Sequence, residues 1–380
     1  MPVARLADLT DPAQCPCLVV KVGSSLLVGK QGLRREWIAS LVEEIAACRA
    51  RGQAVIIVSS GAIALGAARL GLEKGGRGSL ADAQAAASVG QIALSGLWAE
   101  LLERHGQTAA QLLLTLDDLE DRRRYLNATA TLGRLLDAGA MPVINENDSV
   151  ATHEIRFGDN DRLAARVAQA AQASAVLLLS DVDGLFDRDP ADPAAVLVRE
   201  VRGVSAEIKA MASGASGSGM GSGGMTSKLQ AAEIADLAGV ALAIVNGTHE
   251  APIARALASD TGTLFLPTQG KRRRDAGRKA WLGGRMKLKG ELVVDAGAAK
   301  ALQRGSSLLA AGITSVSGAF QRGDPVGIVD GEGNVLAHGL SEYDSGECAR
   351  LMGRQSGEQE ALLGYAPRSA VVHRNQLVLK

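Results

Sequence analysis

Short, almost wholly apolar runs recur along the first two-thirds of this chain, and they constrain its fold more than any other feature. LVVKV (18–22), AVIIVSS (54–60), PVI (142–144), AVLLLS (175–180) and ALAIVN (241–246) are too short for core helices and lack the alternation of half-solvated strands. Such runs belong to strands buried on both faces. QTAAQLLLT (107–115) reads as a further strand and GTLF (262–265) as a short edge strand. Between the runs lie stretches of helical spacing: 32–51, with Leu33, Trp37, Leu41, Ile45 and Cys48 on one side; 80–105, with Ile92, Leu94, Leu97, Trp98 and Leu101; 125–138; 229 onward; and 250–259. Others start at Gly61 and Asp161. Strand and helix alternating over 17–266 predict an α/β sandwich with a largely parallel central sheet.

Open α/β sheets bind ligands where their strands end, so the polar residues at those ends are the candidates. Lys21 interrupts an apolar strand, a cost in desolvation unless an anion meets it or its tip snorkels to water. Ser59 and Ser60 are delivered to a glycine-rich turn and helix start. Ser180 and Asp181 close another strand. Residues 145–161 gather five carboxylates and three amides, as a ligand site or as a polar hairpin with side-chain-capped turns. The stretch 214–228, GASGSGMGSGGMTSK, is a glycine-rich loop running into a helix, where backbone N–H groups and the helix dipole favour an anion. Lys228 adds charge there, although the order is not that of a Walker A loop. Taken alone, such a stretch is equally a flexible linker.

Beyond 271–289, with nine basic residues and one acidic, the pattern changes to short alternating stretches with hairpin signals at Asp330-Gly331 and Gly333-Asn334. The expected layout is a loose leader at 1–16, an α/β domain at 17–267, a basic linker at 268–284, a small β-barrel-like domain at 285–367 and a tail at 368–380. A formal net charge of +0 and only three tyrosines and four phenylalanines argue against a nucleic-acid footprint, so RNA is not an expected partner. No apolar run reaches 18 residues and no charged-then-apolar leader opens the chain, so a cytoplasmic protein with no membrane partner is expected. Four cysteines without C-x-x-C spacing and five scattered histidines suggest no metal site.

KVGSS (21–25), SSGAIALG (59–66), NENDSVA (145–151), FGDND (157–161), SDVDGL (180–185) and GSGGMTSKLQAA (221–232), in that order, resemble the branch of the amino acid kinase family that phosphorylates the γ-carboxylate of L-glutamate. The last third resembles the PUA domain appended to many bacterial members. Two departures are visible: Ser180 stands where the family often has Thr, and Thr226-Ser227 reverses a common order. Both keep a hydroxyl.

The resemblance implies ATP, with Mg²⁺ arriving on the nucleotide, and a catalytic set of Lys21, Lys228 and Asp161. Lys21 would meet the transferring phosphoryl, Lys228 the β–γ region, and Asp161 would hold the two lysines apart. It implies Ser60, Asp148 and Asn160 for glutamate, with Asp148 on the α-ammonium and the Ser60 hydroxyl and Asn160 amide on the α-carboxylate. For ATP it implies Lys21, Gly23, Ser180, Asp181, Ser222, Gly223, Gly224, Met225, Thr226, Ser227 and Lys228. It further implies inhibition by proline through an overlapping site around 145–160, a homo-oligomer, and glutamate 5-phosphate reductase as a downstream partner. Aspartokinase, acetylglutamate kinase, carbamate kinase and UMP kinase are the rival activities on the same fold. The chemistry suits the residues: a γ-carboxylate, with a reference pKa of ~4.3, is already an anion at neutral pH and needs cations and alignment rather than a base.

Overall fold

A computed structural model of the chain describes residues 3–29, 32–150, 159–214, 224–268, 288–368 and 370–380. The chain divides into two compact units, Met1–Gln269 and Gly270–Lys380.

The strands of the first unit are β1 (Cys17–Val22), β2 (Val28–Gly29), β3 (Gly32–Leu33), β4 (Ala54–Ser59), β5 (Ala109–Leu114), β6 (Met141–Glu146), β7 (Ala175–Ser180), β8 (Glu200–Arg202), β9 (Ala241–Asn246) and β10 (Thr263–Leu266). β2 and β3 pair as a separate small hairpin; the others form an eight-stranded sheet in the order β5-β6-β4-β1-β7-β9-β10-β8. Every neighbouring pair is parallel except β9–β10. The register brings the carboxyl ends level: Lys21 lies opposite Val58 of β4 and Leu178 of β7, and Val58 lies opposite Ile144 of β6. The strand predicted at the sheet edge, 262–265, is instead β10, an inner strand. The edge is β8, three residues with one buried side chain, too short to leave a sequence signal.

The helices are α1 (Ser24–Leu27), α2 (Arg35–Ala50), α3 (Ala62–Leu70), α4 (Leu80–Glu103), α5 (Leu116–Glu120), α6 (Arg122–Asp137), α7 (Asp159–Ala171), α8 (Ala206–Gly214), α9 (Gly224–Ala238) and α10 (Pro252–Ser259). Because side chains alternate along a strand, the sheet feeds two cores. Leu18, Val20 and Val22 pack with α2, α4 and α10 on one face; Val19, Ile56 and Val58 pack with α6, α7 and α9 on the other. Lys21 shares the alternation of Val19, so it emerges on the α7–α9 side.

Residues 3–16 of the expected loose leader are ordered against the core. Leu6, Leu9 and Cys15 are buried in the α2-side core, and the buried Gln53 amide donates to the Leu9 and Cys15 carbonyls at 2.7 and 2.6 Å. α4 is the one helix among the described residues long and apolar enough to cross a membrane by length and composition. Its Leu94, Leu97, Trp98 and Leu101 lie in the core as predicted, but Ile92 is 75% exposed. α3 crosses α4 backbone on backbone: a Cβ on Gly66 would lie 1.7 Å from the Ala86 carbonyl oxygen, and one on Gly90 1.8 Å from that of Ala62. That contact leaves no room for any side chain and fixes the turn after β4.

The second unit contains β11 (Gly290–Val294), β12 (Ile313–Gly318), β13 (Pro325–Val329), β14 (Val335–Leu340) and β15 (Leu377–Leu379) in a mixed sheet of order β12-β11-β13-β14-β15, with β12 and β15 as its edges. β13 and β14 are joined at the predicted turn, where Asp330 Oδ1 accepts from the backbone N–H of Glu332 and Asn334 and Gly333 has φ +85°. The segment 368–380 is not a free tail: Val371 and Val372 are in the core and β15 pairs with β14. Most of the basic run 271–289 lies outside the described residues.

Candidate active site

A cleft opens at the carboxyl ends of β1, β4, β6 and β7. At one end, α7 packs against both α9 and β1, so Asp161 in the first turn of α7 meets Lys21 from β1 and Lys228 from α9. The Asp161 carboxylate is 1% exposed and pairs with both ammonium groups, Oδ1 at 2.5 Å from Lys21 Nζ and Oδ2 at 3.2 Å from Lys228 Nζ. Ser227 Oγ donates to Oδ2 at 3.0 Å. Burial alone would raise the Asp161 pKa, but the two lysines overcome it and hold the group at about 2. Burial pushes Lys21 below its ordinary value, Asp161 pulls it back up, and Lys228 pushes it down again. Two cations share one buried anion, and Asp181 is a further negative charge acting on Lys21.

The helix of Lys228 begins earlier than expected. Gly224 to Lys228 form the first turns of α9 rather than a loop, and side chains on a helix lean toward its amino end. Ser227 Oγ and Lys228 Nζ therefore turn back to the Gly224 carbonyl, at 3.0 and 3.3 Å. Gly224, Ser227 and Lys228 line the cleft; the Met225 side chain packs on the core and Thr226 is exposed. Ser222 and Gly223 lie outside the described residues, as does the hairpin expected between 148 and 158. Gly23 lines the same end, and a Cβ there would approach Lys21 Nζ at 3.8 Å. Ser180 and Asp181 complete it, Ser180 Oγ donating to Asp181 Oδ1 at 3.2 Å.

At the other end, Asn160 Nδ2 donates to Ser60 Oγ at 2.9 Å and to Asn145 Oδ1 at 3.1 Å. The Glu146 N–H also donates to Asn145 Oδ1, and Asn145 Nδ2 donates to Gln91 Oε1, so the amide orientations are set by the network. Asn160 Oδ1 is left buried with no partner among the described residues. Both of the Asn160 amide's donor positions are thus engaged and what it offers a ligand is an acceptor, which differs from the expected donor to a carboxylate. Asp148, 7% exposed, lines this end too. Gly61, at φ +102°, makes the left-handed turn that presents Ser60, a backbone conformation few other residues adopt.

The cleft thus gathers Lys21, Gly23, Ser60, Asp148, Asn160, Asp161, Ser180, Asp181, Gly224, Ser227 and Lys228, from separate predicted segments. Sequence reasoning missed Arg77 and Gln91. Arg77 sits in an irregular Gly-rich stretch and Gln91 on a helix face, where neither leaves a local pattern. Among the described residues no cluster of three or more His, Cys, Asp or Glu side chains could hold a metal ion.

A parallel-sheet sandwich with paired lysines at its strand ends defines a class, and sequence comparison agrees with it. The chain belongs to the amino acid kinase family, whose profile matches residues 16–246, and within it to the glutamate 5-kinases that its curated relatives are. The PUA domain profile matches residues 290–363. Over 380 residues the chain is 70% identical to the Glutamate 5-kinase of Novosphingobium aromaticivorans, covering 100% of both chains. It is 58% identical over 373 residues to that of Sphingopyxis alaskensis, covering 98% of this chain and 100% of the relative. It is 54% identical over 370 residues to that of Zymomonas mobilis, covering 97% and 92%.

Proposed function

We propose that the chain transfers the γ-phosphoryl group of ATP to the γ-carboxylate of L-glutamate, giving L-glutamate 5-phosphate and ADP, the first step of proline biosynthesis. The observation that carries this reading is the pair of lysines balanced on the single carboxylate of Asp161. A carboxylate oxygen attacks the γ-phosphorus, and the bond from that phosphorus to the β–γ bridging oxygen breaks. No proton is removed, because the acceptor is already ionised. The barrier is therefore the approach of two anions and their in-line alignment. Lys21 and Lys228 lower it by placing positive charge where the transferring group passes, and Asp161 keeps the two ammonium groups from repelling each other out of position. Ser180, Asp181, Gly23 and the 222–228 segment would take the nucleotide, and Mg²⁺ arriving on its phosphates would supply further charge neutralisation there.

At the other end, Asp148 and the Asn160 Oδ1, which has no partner among the described residues, are both acceptors, the chemistry an α-ammonium requires. Proline carries a like ammonium and carboxylate, so feedback inhibition through an overlapping site at 145–160 follows from the same groups. The product is an acyl phosphate, labile enough to favour prompt use by a reductase.

A coupled assay of ADP release tests this with glutamate, aspartate, acetylglutamate and UMP as acceptors. Turnover is expected with glutamate, and Lys228→Ala is expected to lower kcat by about a hundredfold or more. Near-normal turnover would remove Lys228 from the mechanism, and preference for another acceptor would reassign the substrate.

A further inference from the structure

We infer that Arg77 reads the α-carboxylate of the acceptor, making the enzyme selective for a free amino acid over one whose α-carboxyl is blocked. The inference rests on glutamate as the acceptor and names the group that distinguishes its two carboxylates.

The cations lining the cleft, among the described residues, are Lys21, Lys228 and Arg77. The two lysines are tied to Asp161 at the phosphoryl end. At the amino-acid end the Asn160 donors are engaged, its Oδ1 is an acceptor with no partner among the described residues, and Asp148 is an anion. Ser60 Oγ already accepts from Asn160 and has a single hydroxyl proton to give. These groups match an ammonium and, among the described residues, leave an α-carboxylate without a full positive charge unless Arg77 meets it. Arg77 supplies it, with a planar guanidinium whose paired N–H groups fit a carboxylate.

The loop holds Arg77 firmly. Lys74, Gly75 and Gly76 all have positive φ, at +51°, +62° and +73°. Gly76 is buried at the α3–α4 crossing, where a Cβ would come within 2.9 Å of Ala67 Cβ. Arg77 follows directly, so its backbone is anchored while the exposed residue lines the cleft. There, burial lowers the guanidinium pKa and the Asp148 charge raises it. One residue of each sign thus faces the same space, and an amino acid's α-carbon carries one group of each sign.

The test is steady-state kinetics with L-glutamate and its α-amide as acceptors at saturating ATP. For Arg77→Gln, kcat/KM for glutamate is expected to fall about a hundredfold through KM, as for loss of a charged hydrogen bond. KM for ATP and kcat/KM for the α-amide should stay within about threefold, collapsing the preference between acceptors. Arg77→Lys should restore part of the preference. Equal losses with both acceptors would mean that Arg77 acts only by positioning Asp148, and an unchanged KM for glutamate would mean that it does not touch the substrate; either overturns the inference alone. A wild-type chain that turns over neither acceptor overturns the functional reading and this inference with it.

Discussion

The two ends of the cleft are built by opposite means. The Lys21–Asp161–Lys228 end is buried, ionic and internally compensated, with Lys21 6% and Lys228 8% exposed. The Ser60–Asn160–Asn145–Gln91 end is a relay of neutral hydrogen bonds finishing in an acceptor, Asn160 Oδ1, with no partner among the described residues, and Asp148 and Arg77 are the charged groups that line the cleft beside it. A fixed field stabilises charge that develops in the transition state without reorganising. A hydrogen-bond relay discriminates by shape and donor pattern in the ground state. The difference predicts that substitutions at the first end act on kcat and those at the second on KM.

Four measurements press on that contrast. The largest effect is expected from Lys21→Ala, a fall in kcat of about a thousandfold with KM for glutamate little changed; a change confined to KM would erase the contrast. Asp148→Asn should raise KM for glutamate about a hundredfold and leave kcat within a few-fold, read in the same coupled assay. Third is acid stability. The folded pKa of Asp161, about 2, lies below its ordinary 3.8, so its contribution of about 2 kcal/mol is present above pH ~4 and lost as pH falls from ~4 toward ~2. Urea unfolding from pH 5 to pH 3 should show a steeper loss for the wild type than for Asp161→Asn, and parallel slopes would contradict the charge balance described. The smallest effect is expected from Gln91→Ala, because Gln91 reaches the proposed glutamate site only through Asn145 and Asn160. It should raise KM about threefold to tenfold and leave kcat unchanged, as removal of one neutral hydrogen bond does.

Much of the site was legible because its residues sit in strings where strands end. KVGSS, SSGAIALG and SDVDGL each join an apolar run to polar atoms, so chain order alone puts Lys21, Ser60, Ser180 and Asp181 at one sheet edge. Lys228 was legible as a charge near a helix start, although the first turn of α9 was mistaken for loop because Gly224 gives no helix signal. The segments at either end of the chain were misread for one reason. Leu6 and Leu9, and Val371 with Val372, are short apolar groups without enough period to mark an element, and they are ordered only by the cores they join. Arg77 and Gln91 belong to the same class of miss: distant in sequence, brought to the cleft by the α3–α4 crossing.

By itself the sequence determined that strands buried on both faces alternate with helices, that their carboxyl ends carry the polar chemistry, and that a β-rich module follows, because those signals are periodic and local. Only the tertiary structure decided that one carboxylate, Asp161, balances two lysines 140 and 67 residues away from it on either side, and that Asn160 presents an acceptor rather than a donor. Those outcomes depend on which atoms share a buried space, and burial is a property of the packed chain rather than of any stretch within it.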